Sequence, residues 1–218
     1  MPRLLEQNAE KNKLKISRAA LYLFTHKGFH GTSVREIADK AGVSMGNLYT
    51  YYRTKEEIFV DLIRQLGDKM ETIRQKDLIP QMQSLDPESL NKLALAIGRM
   101  VGGNLDYWRL MYIDVVEFRH KYFAHGFQQT AATLRKHTSQ VLRDSPFQFP
   151  KGVDPGLAYT SMYLHFFTYF LVEELFGAKH HLGMDDEQAI EQLVRLYTAG
   201  MSRRGRRATP RRQRKERT

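Results

Sequence analysis

Apolar residues recur at three- and four-residue intervals along most of the chain, and no run of alternating β-branched residues interrupts them. That spacing predicts an all-α protein. Ile16, Ala20, Leu23 and Phe24 form a stripe that stops at Gly28, a residue suited to closing a helix. A second stripe, Ile58, Phe59, Leu62, Ile63, Leu66, Met70 and Ile73, ends before Pro80. Asp86-Pro87 reads as a cap with proline at the first helical position, followed by Leu90, Leu93, Ala94, Ile97, Met100 and Val101. Two further helices are expected over about 105–119 and 122–143, an apolar one over about 156–176, and a last one from Asp185-Asp186 to Met201. Gly98, Gly102 and Gly103 weaken their helix and mark a close crossing or a bend. No repeat of fixed period is visible.

From Pro155 to Val172 there is no Asp, Glu, Lys or Arg, which approaches spanning length. Tyr159, Thr160, Ser161, Tyr163, His165, Thr168 and Tyr169 make it too polar to face lipid, so the segment reads as a helix buried in protein, with no membrane partner.

Residues 28–59 carry a denser local code. Ser33 precedes an amphipathic run and Glu36 stands three residues on, the pattern of a capping box. Val34, Ile37, Ala38 and Ala41 face inward. Gly42 can take the positive φ of a tight turn, and Val43 plugs the space between two helices. Ser44 caps the next helix and Leu48 anchors it, leaving Met45, Gly46, Asn47, Tyr49, Thr50 and Tyr51 outward. This is a helix-turn-helix pattern. A helix that enters the major groove by its N-terminal end needs slim early side chains. Gly46 removes bulk, Asn47 offers an amide able to bond adenine at two atoms, and Met45 can touch a thymine methyl. Tyr hydroxyls reach phosphate from rigid rings, Lys55 can meet phosphate at the start of the following helix, and Arg35 is the candidate for guanine readout. Leu48, Tyr52, Ile58 and Phe59 are expected in the core, and packing is the competing role for Tyr51.

Charge sharpens the picture. The chain has 218 residues and a net charge of +10, carried at its ends. Residues 1–60 hold ten Lys/Arg against six Asp/Glu, and the tail 203–218 holds nine against one. A polyanion would be met there. The tail, almost without apolar residues, is expected to be disordered, either a solubilising run or a salt-sensitive contact to DNA. There is no Cys, so disulfides and thiolate metal sites are excluded. The N-terminal residues lack a signal-peptide core, and a cytoplasmic location is expected.

The run Thr32-Ser33-Val34-Arg35-Glu36-Ile37-Ala38, then Ala41-Gly42-Val43-Ser44, Gly46-Asn47-Leu48-Tyr49 and Tyr51-Tyr52-Arg53-Thr54-Lys55-Glu56-Glu57-Ile58, closely resembles the N-terminal domain of the tetracycline-repressor (TetR) family. Ala19 to Phe24 and Gly28-Phe29 resemble its first helix, so the likeness covers about residues 13–60. The resemblance implies a homodimeric bacterial or archaeal transcription regulator, usually a repressor released from DNA by a small molecule. Carried over by position, it implies phosphate contacts at Thr32 and Ser33 and base reading at Arg35. Met45, Gly46 and Asn47 fall at base-facing positions beside Ser44, and Tyr49, Tyr51 and Lys55 at groove and phosphate contacts. Asn47 and Tyr51 depart from the family's usual residues, so the operator sequence cannot be borrowed from a relative.

The expected organisation is therefore a helix-turn-helix DNA-binding domain over 1–54, a helical ligand-binding and dimerisation domain over 55–202, and the tail 203–218. Two aromatic-rich segments, 105–127 and 157–176, can leave an apolar cavity between helices. Asn104, Trp108, Tyr112, Glu117, His120, Phe127, Tyr163, His165 and Phe166 are candidate pocket residues, and a filled core is the alternative. The helices over about 156–176 and 186–201 are expected to make the dimer, implying a palindromic operator. Rival readings are an architectural or division-linked DNA-bound protein that recruits a protein partner, and a bundle metalloenzyme built on Glu117-x-x-His120. The second motif copy a di-iron site needs is missing, and no nucleophile elbow, Walker loop or dinucleotide fingerprint occurs. No enzyme activity, cofactor or metal is expected.

Overall fold

Gly28 takes φ 76° and closes α1 (Pro2–Lys27), the long helix against which the first third of the chain folds. The computed structural model describes residues 2–82, 84–144, 147–149, 151–199 and 201–203. Three short loops with local caps set the next helices. Ser33 caps α2 (Val34–Ala41) in a complete capping box with Glu36, and Ser44 caps α3 (Met45–Tyr51) by accepting from the Asn47 amide at 3.2 Å. Thr54 caps α4 (Lys55–Ile73) through the Glu57 amide at 3.1 Å. Between α2 and α3, Gly42 sits in the left-handed region at φ 65° and the Val43 amide returns to the Ala38 carbonyl. That geometry turns the chain sharply without stranding a backbone group.

Beyond α4 the backbone loosens into a π turn, Arg74–Leu78, and a 3₁₀ turn, Ile79–Gln81. The bundle follows: α5 (Pro87–Gly102), α6 (Leu105–Glu117), α7 (Ala124–Asp144), α8 (Pro155–Glu174) and α9 (Asp186–Thr198). The all-α expectation holds for the fold. One feature lies outside it: Phe147–Gln148 (β1) and Ser202–Arg203 (β2) pair antiparallel, too short a pairing to leave a periodic signal. Residues 204–218 of the basic tail lie outside the described residues. Among those described, no helix is long and apolar enough to cross a membrane. Tyr159, Met162, Tyr163, Phe166, Tyr169 and Phe170 are all buried, which accounts for the uncharged stretch.

The core runs without a break from the first helices into the bundle. At the joint, the rings of Phe29, Phe59 and Phe118 meet from three different segments, with centroids 4.5 Å apart for Phe29–Phe118 and 4.7 Å for Phe59–Phe118. Within the bundle α5 packs most extensively on α8. Gly98 makes that crossing close: a Cβ there would stand 2.7 Å from the Phe170 ring. Gly102, by contrast, has ordinary room beside Glu174.

Gly98→Ala separates the two tendencies. Helix propensity alone would add about 1 kcal/mol, but overpacking against a rigid ring is expected to lower the unfolding free energy by about 1–3 kcal/mol. Urea unfolding measures the sign, and a gain in stability would mean that the helices cross with space to spare.

Candidate nucleic-acid interface and interior cavity

The helix pair α2–α3 is held from behind. Leu48 is fully buried, and Tyr52, just past α3, buries its ring and donates its hydroxyl to Asp61 Oδ2 at 2.6 Å. Asp61 also accepts from Arg64 and, at 2.8 Å, from Gln65 Nε2, with Lys13 Nζ 3.4 Å away. Burial raises the Asp61 pKa, but the Tyr52, Arg64 and Gln65 hydrogen bonds and the Lys13 charge outweigh it, so the carboxyl lies below its ordinary value. The same burial, with the Asp61 contact, pushes the Tyr52 phenol up. One carboxylate thus ties the end of α3 to α1 and α4.

What remains outward is slender. Gly46 is exposed with open space where a Cβ would stand. Met45 is half-buried, Arg35 is exposed without an ion-pair partner among the described residues, and Tyr49 is 49 % exposed. Tyr51 is half-buried and packs against the core, the competing role expected for it. Asn47 is half-buried too, and its Oδ1 is buried with no hydrogen-bond partner. Turning that amide outward breaks no hydrogen bond to its oxygen. Ser33 and Ser44 are exposed, their hydroxyls engaged as caps.

Thr32 and Lys55 sit differently from expectation. Thr32 is 1 % exposed and donates its hydroxyl to the Gly28 carbonyl at 2.9 Å. Lys55 Nζ donates to the carbonyls of Phe29 and Thr32, each at 2.6 Å, and lies 4.3 Å from the Phe29 ring centre. Burial holds this ammonium below the usual lysine pKa, against the opposing pull of Glu117 and Glu36. Both side chains brace the turn between α1 and α2 and offer no free group to phosphate in this conformation. A carbonyl leaves no trace in side-chain patterning, so sequence spacing could not reveal these acceptors.

Glu117 holds the other side of that turn. At the end of α6, it accepts from the amides of Phe29 at 3.0 Å and His30 at 2.7 Å, and from His30 Nδ1 at 2.5 Å. Burial acts to raise its pKa, and the His30 and Phe29 amides and the His30 ring outweigh it, leaving the carboxyl below its ordinary value. Gly28 makes the approach possible, since a Cβ there would come 2.8 Å from Glu117 Oε1.

The candidate pocket residues divide accordingly. A cavity of about 160 Å³ does lie between helices, and Trp108 and Tyr163 line it. Tyr107 and Phe167, from the two aromatic-rich segments but not among the candidates, join them, as do Met70 and Arg74 from outside those segments. The Trp108 indole donates to the Val101 carbonyl at 3.1 Å, fixing that wall. The other candidates belong elsewhere. Asn104 donates to the Met100 carbonyl, Tyr112 packs edge-on to Phe176, Phe166 is fully buried, and His165 Nδ1 meets the Tyr197 hydroxyl at 2.9 Å. Glu117 binds the α1–α2 turn, His120 is an exposed loop residue with φ 63°, and the side chain of Phe127 lies outside the described residues. The Glu-x-x-His pair therefore forms no joint site. Among the described residues, Glu173, His180 and Asp186 bring ligand-type atoms within 4.8 Å of one another. Glu173 is fully buried there and already accepts from the His180 and His181 amides and from His181 Nδ1.

With this geometry in place, similarity to known proteins is informative. Residues 16–62 match the family model for bacterial regulatory proteins of the tetR family. The chain is 45 % identical over 56 residues to the HTH-type transcriptional regulator RutR of Escherichia coli (strain K12), a stretch that is 26 % of each chain. It is 28 % identical over 91 residues to the HTH-type transcriptional regulator YdgC of Bacillus subtilis (strain 168), covering 42 % of this chain and 46 % of that one. Sequence likeness thus spans less than half the length of these relatives. A solved structure from Mesorhizobium loti assigned to the TetR family superposes with a TM-score of 0.64 at 20 % identity, covering 89 % of this chain and 98 % of that one. A transcriptional regulator from Rhodococcus sp. Rha1 gives 0.59 at 19 %, covering 87 % and 97 %. At such identity the fold alone is shared.

Two measurements probe the turn. Lys55→Met leaves two carbonyls without their ammonium partner and is expected to cost about 1–3 kcal/mol of stability in urea unfolding; an unchanged midpoint would remove the bracing role. Glu117, harder to protonate folded than unfolded, contributes stability above its ordinary value of 4.5 that is lost as pH falls below it. Glu117→Gln should therefore flatten the decline of stability measured between about pH 5 and pH 3.5, and an unaltered decline would assign the acid sensitivity to other carboxyls.

Proposed function

From the match of residues 16–62 to the TetR family, we propose that the chain is a helix-turn-helix DNA-binding regulator of transcription and, more specifically, a homodimeric cytoplasmic repressor, released from a palindromic operator by a small, mostly apolar effector. The observation that carries the reading is the presentation of α3: capped by Ser44, anchored by Leu48, and open to solvent at Gly46 and Tyr49. In this reading residues 1–54 bind DNA, 55–202 bind effector and partner, and the tail 203–218 adds non-specific phosphate affinity.

A partner surface is supported by α8, where Leu157, Ser161, Leu164 and Thr168 lie on one stripe of an otherwise apolar helix, with Leu157, Ser161 and Leu164 exposed. On α9, Leu196 is likewise exposed. A second copy related by a two-fold axis would cover both and set the two α3 helices on successive major-groove faces.

Release would run through α6. Tyr107 and Trp108, near its start, border the cavity, and Glu117, at its end, grips the α1–α2 turn. A ligand that favours a different tilt of α6 would change the spacing of the recognition helices, a population shift set by its differential affinity for the two states.

Gel-shift titration against operator variants tests the DNA face. Tyr49→Ala should weaken binding evenly across sequences, whereas Asn47→Ala should alter preference at one base pair by about 1–3 kcal/mol. Equal loss on every variant would deny Asn47 a base-reading role.

A further inference from the structure

The cavity wall carries one residue that its surroundings do not explain. Met70, Arg74 and Leu78 follow at four-residue spacing and share a face. The first and last are 5 % and 1 % exposed, while Arg74, between them, has a side chain only 18 % exposed and borders the cavity. A guanidinium has five N–H donors and keeps its charge at any physiological pH, so a place on an inward face is costly unless those donors are used. Here one nitrogen, Nη1, meets Glu71 Oε2 at 2.7 Å, on the solvent side, with Glu71 half exposed. A pair whose acid stands half in solvent contributes little. No other partner of the guanidinium exists among the described residues. Arg74 also opens the π turn, and turns widened in this way recur at binding sites.

The polar groups beside it point the same way. Tyr163 is 6 % exposed, lines the cavity, and its hydroxyl has no hydrogen-bond partner among the described residues; the same is true of the Tyr107 hydroxyl. Burial raises both phenols, Tyr163 to about 12, and the Arg74 charge opposes the rise at each. Apart from Thr130 and Thr160, the remaining wall is apolar, with Met70, Met100, Trp108, Leu134 and Phe167 among its residues. The result is a largely apolar slot bordered by a cation and two phenols. A cavity near 150 Å³ takes a body about the size of one benzene ring.

We propose that the cavity binds a small organic carboxylate, a single ring or an aliphatic body of similar size, with its carboxylate on Arg74 and the hydroxyls of Tyr107 and Tyr163. The proposal rests on the effector-responsive reading above and makes it specific, replacing a mostly apolar effector with an amphipathic anion. A planar guanidinium presents paired donors that match a carboxylate, and such charge-assisted bonds are the strong kind. The body would lie against Trp108 and Phe167, where burial of apolar area adds affinity and pushes on α6.

Calorimetric titration of the full chain with phenylacetate and with phenylacetamide tests it, because the two share size and ring and differ in charge. Phenylacetate is expected to bind at least about ten-fold more tightly, the worth of one charge-assisted hydrogen bond. Arg74→Gln should erase most of that preference and Tyr163→Phe should reduce it, with circular dichroism confirming the fold of each. If Arg74→Gln does not fold, the Tyr163→Phe result decides. Equal affinity for acid and amide, no binding of either at about 10 mM, or an acid preference that survives both substitutions would overturn the proposal. A gel shift without ligand runs alongside: loss of all specific DNA binding would sink the regulator reading, while the titration still decides whether the cavity takes a carboxylate.

Discussion

The turn from Gly28 to Thr32 is satisfied from two opposite sides, and the relation between the DNA-binding helices and the bundle depends on it. Its amides at Phe29 and His30 go to Glu117 of α6, and its carbonyls at Phe29 and Thr32 go to Lys55 of α4. A half-buried anion and a half-buried cation are tolerable there because each meets backbone dipoles of the right sign. The rings of Phe29, Phe59 and Phe118 exclude water around the same point. Gly28 is needed for a steric reason beyond its positive φ, since any side chain would displace the carboxylate.

This arrangement gives α6 two ends with different duties. Near its start, Tyr107 and Trp108 shape the cavity; at its end, Glu117 addresses the first loop of the DNA-binding region. Lys121 and Tyr122, just beyond, add a second attachment by meeting Glu56 near the start of α4. A helix fixed at one end by hydrogen bonds and bordered near the other by a hollow is the arrangement that the proposed release would use.

The helix-turn-helix was legible because its signals are local. Ser33, Glu36, Gly42 and Ser44 each act within about four residues of their partners, and the capping box, turn and cap appear as their spacing predicts. Long-range roles were not legible. Lys55 reads as a phosphate contact until its acceptors, carbonyls 23 and 26 residues back, are known. Glu117 reads as half of a metal motif until its partners 87 and 88 residues back appear. Arg74 follows directly on the end of the apolar stripe at Ile73, where a charge reads as solvated surface. Among the pocket candidates, aromatic density leads to Trp108 and Tyr163, which do line the cavity. The same density draws in His165 and Phe166, which serve packing within the bundle.

The clasp on the α1–α2 turn also makes a built-in gauge. The amide protons of Phe29 and His30 are shielded by a carboxylate from far along the chain, so they trade with deuterium only when that carboxylate lets go. Their exchange rate would report the release of that carboxylate, residue by residue, without a label and without DNA in the tube.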